Sequence, residues 1–348
     1  MTIQGKQVAI VGGGVAGLAA AEALARWGVA VTIIEKATVA GGHAARFSCK
    51  ATDRCVACGA CVAQDVFRRA TTRPGIAFLT DTRIAGIDCD HGFTIAHESQ
   101  ARSGTLRVDA VLLTSGFTPY DPSEKPYGYG KFPNVLTNLD AERILSEHGV
   151  LLRPSDGRAA EQIAFIQCVG SRDARIGHPW CSKICCGSAL RMAGLIQHRQ
   201  PQVSVTFFYI DVQTFGRNFD HYYDQTRTRV QMVRAIPGDI FKTLDDRLQV
   251  TWFDPRTHHS KESLFDTVIL STGLTPSPDN RQLAAMLGWP LTATGFLQQH
   301  DCDAEALPGG VFTAGAALGP MSIAETLDSA GKAVRDMVPY LKKDDTRE

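Results

Sequence analysis

Lys6-Gln7-Val8-Ala9-Ile10-Val11-Gly12-Gly13-Gly14-Val15-Ala16-Gly17-Leu18-Ala19-Ala20-Ala21-Glu22-Ala23-Leu24 decides the fold. An apolar run enters G-x-G-x-x-G and leaves as an alanine-rich helix. A second apolar run, Val29-Ala30-Val31-Thr32-Ile33-Ile34, ends on Glu35, about 20 positions on, where a dinucleotide-binding βαβ unit carries its acid. Each position has a physical job. Gly12 permits the tight turn, Gly14 lets backbone approach a pyrophosphate, and Gly17 lets helix pack on strand. Val15 and Ala16 lie in the first turn, whose free N–H groups face the phosphates, while Glu35 accepts from a ribose hydroxyl beside Lys36.

The segments beyond Glu35 favour FAD over NAD. Gly41-Gly42 resembles the second glycine pair of two-dinucleotide-binding-domain flavoproteins. Asp109-Ala110-Val111-Leu112-Leu113-Thr114-Ser115-Gly116 and Asp266-Thr267-Val268-Ile269-Leu270-Ser271-Thr272-Gly273 are near-copies. They resemble the two crossings between the FAD and middle domains of that superfamily, which makes Ser115, Gly116 and Gly273 candidate cofactor contacts. Gly310-Val311-Phe312-Thr313-Ala314-Gly315 resembles the strand that brings backbone to the flavin, and a helix from near Ala324 would point its N-terminus at the ring. The expected fold is α/β and thioredoxin-reductase-like. Residues 1–118 plus 262–348 form a discontinuous FAD domain, and residues 119–261 form an inserted Rossmann-like middle domain.

Composition narrows the function class. The 348 residues suit two domains. Lys+Arg and Asp+Glu both number 36, so no charge excess points to nucleic acid or an acidic membrane. There is no run of about 20 apolar residues to span a bilayer, and Met1 leads towards the first strand without a secretory leader. The expected location is the cytoplasm, where clustered cysteines read as metal or redox sites before disulfides.

Of ten cysteines, eight fall into two groups, while Cys89 and Cys302 stand alone. Cys168, Cys181, Cys185 and Cys186 follow the strand Gln162–Gln167 at C-x12-C-x3-C-C spacing, and four thiols can hold one 4Fe–4S cubane. They stand where a reductase relative would carry the glycine loop for NAD(P)H. The βαβ frame continues through a helix from Cys185 to the strand Val203–Ile210, and a helix N-terminus favours thiolates. Zinc needs the same ligand number but usually takes paired C-x2-C knuckles, and a Cys185–Cys186 disulfide would be strained. The second group, Cys49-x5-Cys55-x2-Cys58-x2-Cys61, resembles a bacterial ferredoxin loop without its Cys-Pro. It is read either as a second cluster or as a Cys55/Cys58 dithiol facing the flavin.

Cys168-Val-Gly-Ser-Arg-Asp173, Cys181-Ser-Lys-Ile-Cys-Cys186 and Asp211-Val-Gln-Thr-Phe-Gly-Arg217 together resemble the A subunit of heterodisulfide reductase. The likeness covers nearly the whole chain. Methanogen forms are longer and carry ferredoxin modules, whereas no repeated C-x2-C-x2-C-x3-C-P occurs here. The compact form is most similar to the short A-type component of the heterodisulfide-reductase-like complex of sulfur-oxidising bacteria. The resemblance implies a homodimeric FAD and iron–sulfur core within a multisubunit cytoplasmic assembly, with Cys168, Cys181, Cys185 and Cys186 on the cubane. Missing ferredoxin modules argue against electron bifurcation to an external ferredoxin.

Three functions stand as expectations. The first is an electron-transfer flavoprotein passing electrons from sulfur oxidation in partner subunits. The second is an NAD(P)H-dependent disulfide or polysulfide reductase using Cys55 and Cys58, and the third is an assembly scaffold with structural cofactors. His178 stands as a cap or tuner of the cluster, or as an exposed loop residue. Lys183 and Arg172 stand as charge partners or solvated side chains, and Arg217–Tyr223 as an interface or ordinary packing.

Overall fold

The computed structural model describes residues 3–90, 92–100, 102–213, 215–216, 218–299 and 309–343. Cys302, Thr214 and Arg217 lie outside these. Backbone contacts divide the chain into two compact units: residues 1–45, 61–118 and 276–348, and residues 46–60 and 119–275.

In the first unit, apolar runs too short for helices pair as a five-stranded parallel sheet. Its order is Val311–Thr313, Ala110–Leu113, Gln7–Val11, Ala30–Ile34 and Ile76–Leu79. The central strands are buried on both faces and therefore carry continuous rather than alternating apolar residues. Helices Val15–Arg26 and Ile323–Lys343 bury Leu18, Leu24, Val334 and Met337 against one face. The antiparallel sheet Arg83–Asp88, Phe93–Glu98 and Ser103–Val108 contributes Ile84, Phe93, Ile95 and Val108 to the core on Ala9, Val111 and Leu113.

The second unit repeats this plan. Its parallel sheet runs Gln231–Val233, Ser204–Phe208, Gln162–Val169, Thr267–Thr272 and Val135–Thr137. Helices Asn138–His148 and Cys185–Arg199 bury Leu145, Leu190 and Ile196 in the core with Phe165 and Phe207. Three antiparallel strands, Ile240–Lys242, Leu248–Asp254 and His259–Phe265, bury Val250, Trp252 and Phe265 with Phe208 and Leu270.

Two expectations shift. Strand Thr267–Thr272, assigned from the sequence to the returning FAD segment, is the direct neighbour of Gln162–Val169, so the chain leaves this sheet after Thr272. Residues 46–60, expected in the FAD domain, group with the second unit. Among the described residues no helix is long and apolar enough to cross a membrane.

Candidate functional site

The glycine turn of the first unit is built by close approach. Gly12 has φ +108°, and a Cβ there would stand 2.4 Å from the Thr114 carbonyl oxygen. A Cβ on Gly17 would lie 2.1 Å from the Gly12 carbonyl oxygen and 2.8 Å from Thr114 Oγ1. Thr114 explains the crowding: its hydroxyl donates to the carbonyls of Val11 and Gly12 and fastens the turn. Gly14 behaves differently, because a Cβ there would meet nothing within 4 Å. It caps the helix Val15–Arg26 without a side-chain hydrogen bond, so the first N–H groups point into open space, as an anion site requires.

The other expected contacts of this unit gather around the turn. Glu35 is buried and accepts from Gly13 N at 2.7 Å and Ala37 N at 2.8 Å. Each carboxylate oxygen keeps a lone pair for a hydroxyl. Gly41 N donates to the Gly13 carbonyl at 2.7 Å, and a Cβ on Gly42 would come 3.1 Å from Gly14 Cα. Lys36 pairs with Asp279. Ser115 donates to Asn280 Oδ1 at 2.6 Å, with Gly116 following it. A Cβ on Gly315 would stand 2.6 Å from Ala16 Cβ. The last helix starts at Ile323, one residue before Ala324, because Ser322 and Glu325 form reciprocal cap bonds. Gly273 lies in the second unit, where a Cβ added to it would be 2.8 Å from the Gly170 carbonyl oxygen.

In the second unit, the strand Gln162–Val169 breaks register before Val169 as Cys168 turns to φ +62°. Arg172 and Lys183 also adopt left-handed backbone, at +55° and +62°, and three such non-glycine residues in one short segment mark a constrained site. The loop between them is pinned. Arg172 N donates to the Trp180 carbonyl, Trp180 Nε1 to the Leu274 carbonyl at 2.9 Å, and His178 Nδ1 contacts the Gly170 carbonyl at 3.0 Å. The helix then opens directly on Cys185 and Cys186, both 2% exposed.

Cys168, Cys185 and Cys186 share hydrogen bonds. The thiols of Cys168 and then Cys186 donate to Cys185, holding its pKa well below the ordinary thiol value, while the accepting thiolate and burial push their own pKa values up. The three buried sulfurs thus stand in mutual hydrogen-bond contact at a helix N-terminus, where the dipole favours negative charge. Cys181 is half-buried. Burial raises its pKa, opposed by Lys183 N donating to its sulfur at 3.3 Å. Arg172, paired with Asp211 at 2.5 Å, lies within electrostatic reach of Cys168 and Cys181. The buried hydroxyls of Ser171 and Ser182 make no well-formed hydrogen bond, although Ser182 is near enough to Cys185 to favour its thiolate.

These residues fit a cubane: buried sulfurs, a backbone N–H on sulfur, spare hydroxyl donors and a nearby guanidinium. Among the described residues no three His, Cys, Asp or Glu converge on one point as a single ion demands, whereas a cubane spreads its thiolates over separate irons. Ser182, Ser171 and Thr114 escaped the sequence reading. Ser171 and Ser182 left a signal, their places inside Cys168-Val-Gly-Ser-Arg-Asp173 and Cys181-Ser-Lys-Ile-Cys-Cys186.

Cys49, Cys55 and Cys61 are exposed and Cys58 is half-buried. The structure does not draw these four together. Cys49, Cys55 and Cys58 belong to the segment 46–60, and Cys61 lies in the first turn of helix Ala60–Thr72, whose body belongs to the other unit.

Comparison with known proteins bears on the fold and the family. The family model for pyridine nucleotide-disulphide oxidoreductases matches residues 6–152. Thioredoxin reductase of T. acidophilum superposes with TM-score 0.64 at 20% identity, covering 98% of this chain and 99% of that one, which shows the expected fold. The A subunit of the H(2):CoB-CoM heterodisulfide,ferredoxin reductase of Methanothermobacter thermautotrophicus is 33% identical over 73% of this chain and 40% of its own length. The iron-sulfur A subunit of the CoB--CoM heterodisulfide reductase of Methanocaldococcus jannaschii is 35% identical over 68% of this chain and 38% of its own. The chain therefore spans about two fifths of the length of these curated relatives. Within that shared portion, identity of one residue in three carries it into an oxidoreductase family: the chain belongs to the heterodisulfide reductase A subunits.

Proposed function

We propose that this chain is an FAD- and iron–sulfur-dependent electron-transfer protein, the homodimeric core of a heterodisulfide-reductase-like complex in dissimilatory sulfur oxidation. The observation that carries the reading is the exchange at the start of helix Cys185–Arg199. A nicotinamide domain would present a glycine loop and bare N–H groups there, and this chain presents Cys168, Cys185 and Cys186, buried and in mutual hydrogen-bond contact.

Bound FAD takes up two electrons and a cubane releases them singly, which is the chemistry these groups would supply. The chain's own residues do the rest. Gly12, Gly14, Val15, Ala16 and Gly17 form the pyrophosphate cradle, Glu35 and Lys36 take the ribose side, and Gly41, Gly42, Ser115, Gly116, Gly315 and Ala324 surround the remainder. Cys168, Cys181, Cys185 and Cys186 hold the cubane, with Ser171 and Ser182 as reserve donors. The names of the relatives, which are subunits of heterodisulfide reductases and in one case an iron-sulfur subunit, support both the assembly and the metal.

Flavin and iron analysis with EPR on the purified chain tests this. Wild type should show flavin absorption with a broad shoulder in the visible, and Cys185→Ser should lose the iron of one cubane while keeping FAD. Unchanged iron in that variant refutes the ligand assignment. The NAD(P)H-dependent reductase reading requires rapid flavin bleaching by NADH alone, and the cysteines at the helix start argue against tight nicotinamide binding.

A further inference from the structure

Each unit carries an acid just beyond the second strand of its βαβ frame. In the first unit Glu35 follows strand Ala30–Ile34 and accepts from Gly13 N, in the loop after Gln7–Val11. In the second unit the matching parallel pair is Gln162–Val169 with Ser204–Phe208, and the acid beyond it is Asp211. A dinucleotide fold keeps there the carboxylate that receives a ribose hydroxyl. Here a guanidinium takes that carboxylate. Arg172 Nη1, from the loop after the first strand, donates to Asp211 Oδ1 at 2.5 Å, and Gln213 Nε2 donates to the same oxygen at 2.8 Å.

The clasp reaches the cysteine quartet through both of its arms. Arg172 belongs to the loop between Cys168 and Cys181, at φ +55°, and its N–H donates at 2.8 Å to the carbonyl of Trp180, the residue before Cys181. Its charge favours the thiolate forms of Cys168 and Cys181. On the other arm, the backbone N–H of Gln213 donates to Cys186. Asp211 therefore joins the cation on one loop to the sulfur donor on another. At Cys181 the Asp211 carboxylate opposes Arg172, and the guanidinium acts more strongly. Both side chains are partly exposed, 27% and 39%, so water weakens their fields without cancelling them.

We propose that Arg172, clasped by Asp211 where a dinucleotide fold keeps its ribose acid, is the positioning cation that sets the potential of the centre on Cys168, Cys181, Cys185 and Cys186. This rests on the proposed cubane. Reduction by one electron from an added reductant adds one negative charge and forms no bond. A fixed cation beside the centre favours the reduced form, and a carboxylate disfavours it. Removing one and then the other should move the potential in opposite directions.

The test is iron analysis and an EPR-monitored redox titration of the full chain as wild type, Arg172→Met, Arg172→Lys and Asp211→Asn, with exposed Arg143→Met as charge control. The signal followed is the one that Cys185→Ser removes. At its wild-type midpoint, Arg172→Met should lower the reduced-to-oxidised ratio about tenfold, equivalent to ~59 mV for one electron. Arg172→Lys should recover most of that, and Arg143→Met should show no shift. Asp211→Asn should raise the ratio about threefold, the smaller effect of the charge that acts less on Cys181. An unchanged potential in Arg172→Met with full iron overturns the proposal and leaves the cubane standing. Shifts of one sign in Arg172→Met and Asp211→Asn reduce the clasp to packing and also overturn it. If Arg172→Met loses the iron, Asp211→Asn decides: iron kept with a raised ratio supports the proposal, and any other result overturns it. Wild type without iron, or iron unchanged in Cys185→Ser, removes the cubane and the proposal together.

Discussion

Gly14 and Gly17 sit three residues apart in one turn, and the structure assigns them opposite vulnerabilities. At Gly14 a methyl group meets nothing within 4 Å, and the backbone, at φ −78° and ψ −171°, suits any residue. Gly14→Ala should therefore cost the empty protein only the loss of a modest N-cap preference, about 0.5–1 kcal/mol. Its Cβ would nonetheless stand where a pyrophosphate must meet the helix N–H groups. FAD affinity should fall at least tenfold, about 1.4 kcal/mol. At Gly17 a methyl group would lie 2.1 Å from a carbonyl oxygen and 2.8 Å from the Thr114 hydroxyl. Overpacking of this kind costs roughly 1–3 kcal/mol, and displacing the Thr114 hydrogen bonds adds about 1 kcal/mol each. The assay is thermal unfolding of flavin-free protein beside FAD titration by fluorescence quenching. Gly17→Ala should lower Tm by several degrees without ligand, while Gly14→Ala should melt near wild type and bind FAD poorly. Wild-type FAD affinity in Gly14→Ala would refute the assignment of this turn to the pyrophosphate.

Two further outcomes are expected. Lys50 and Glu142 form a buried ion pair whose carboxylate also accepts from Ser48 N and Oγ. Lys50→Met strands that charge and should cost about 3–5 kcal/mol, seen as a lower Tm and faster hydrogen exchange over residues 46–60, with Lys50→Met/Glu142→Leu recovering most of the loss. Burial raises the Tyr127 phenol from 10 to about 12. The fold therefore keeps the proton that the unfolded chain gives up, and the stability this represents is intact below pH 10 and lost as pH rises towards 12, by about 2–3 kcal/mol. Denaturant melts across that window should fall steeply in wild type, and less so in Tyr127→Phe; equal slopes would exclude the residue.

The glycine turn, its acid and the βαβ frame around the cysteine quartet were legible because each is local, held within one strand, turn and helix. The near-copies Asp109–Gly116 and Asp266–Gly273 were legible as the strands that precede the two crossings between the units, although the expected bounds gave the second to the FAD domain. Ala110–Leu113 lies beside Gln7–Val11, and Thr267–Thr272 lies beside Gln162–Val169. They are alike because each is a buried, interior parallel strand of its own sheet. Thr114 and the Asp211 partner of Arg172 were invisible because their bonds span about 100 and 39 residues. Cysteine spacing raised the second group, but spacing holds no information on exposure, and three of those four thiols face solvent.

The left-handed turns at Cys168, Arg172 and Lys183 have a cost in the empty chain. Each holds about 1–3 kcal/mol of backbone strain, comparable in sum to the whole margin by which many domains stay folded. Under the proposed cluster assignment an iron-free chain would be a loaded spring, metal insertion would be a late folding step, and oxidative loss of iron would loosen this segment and open it to proteolysis.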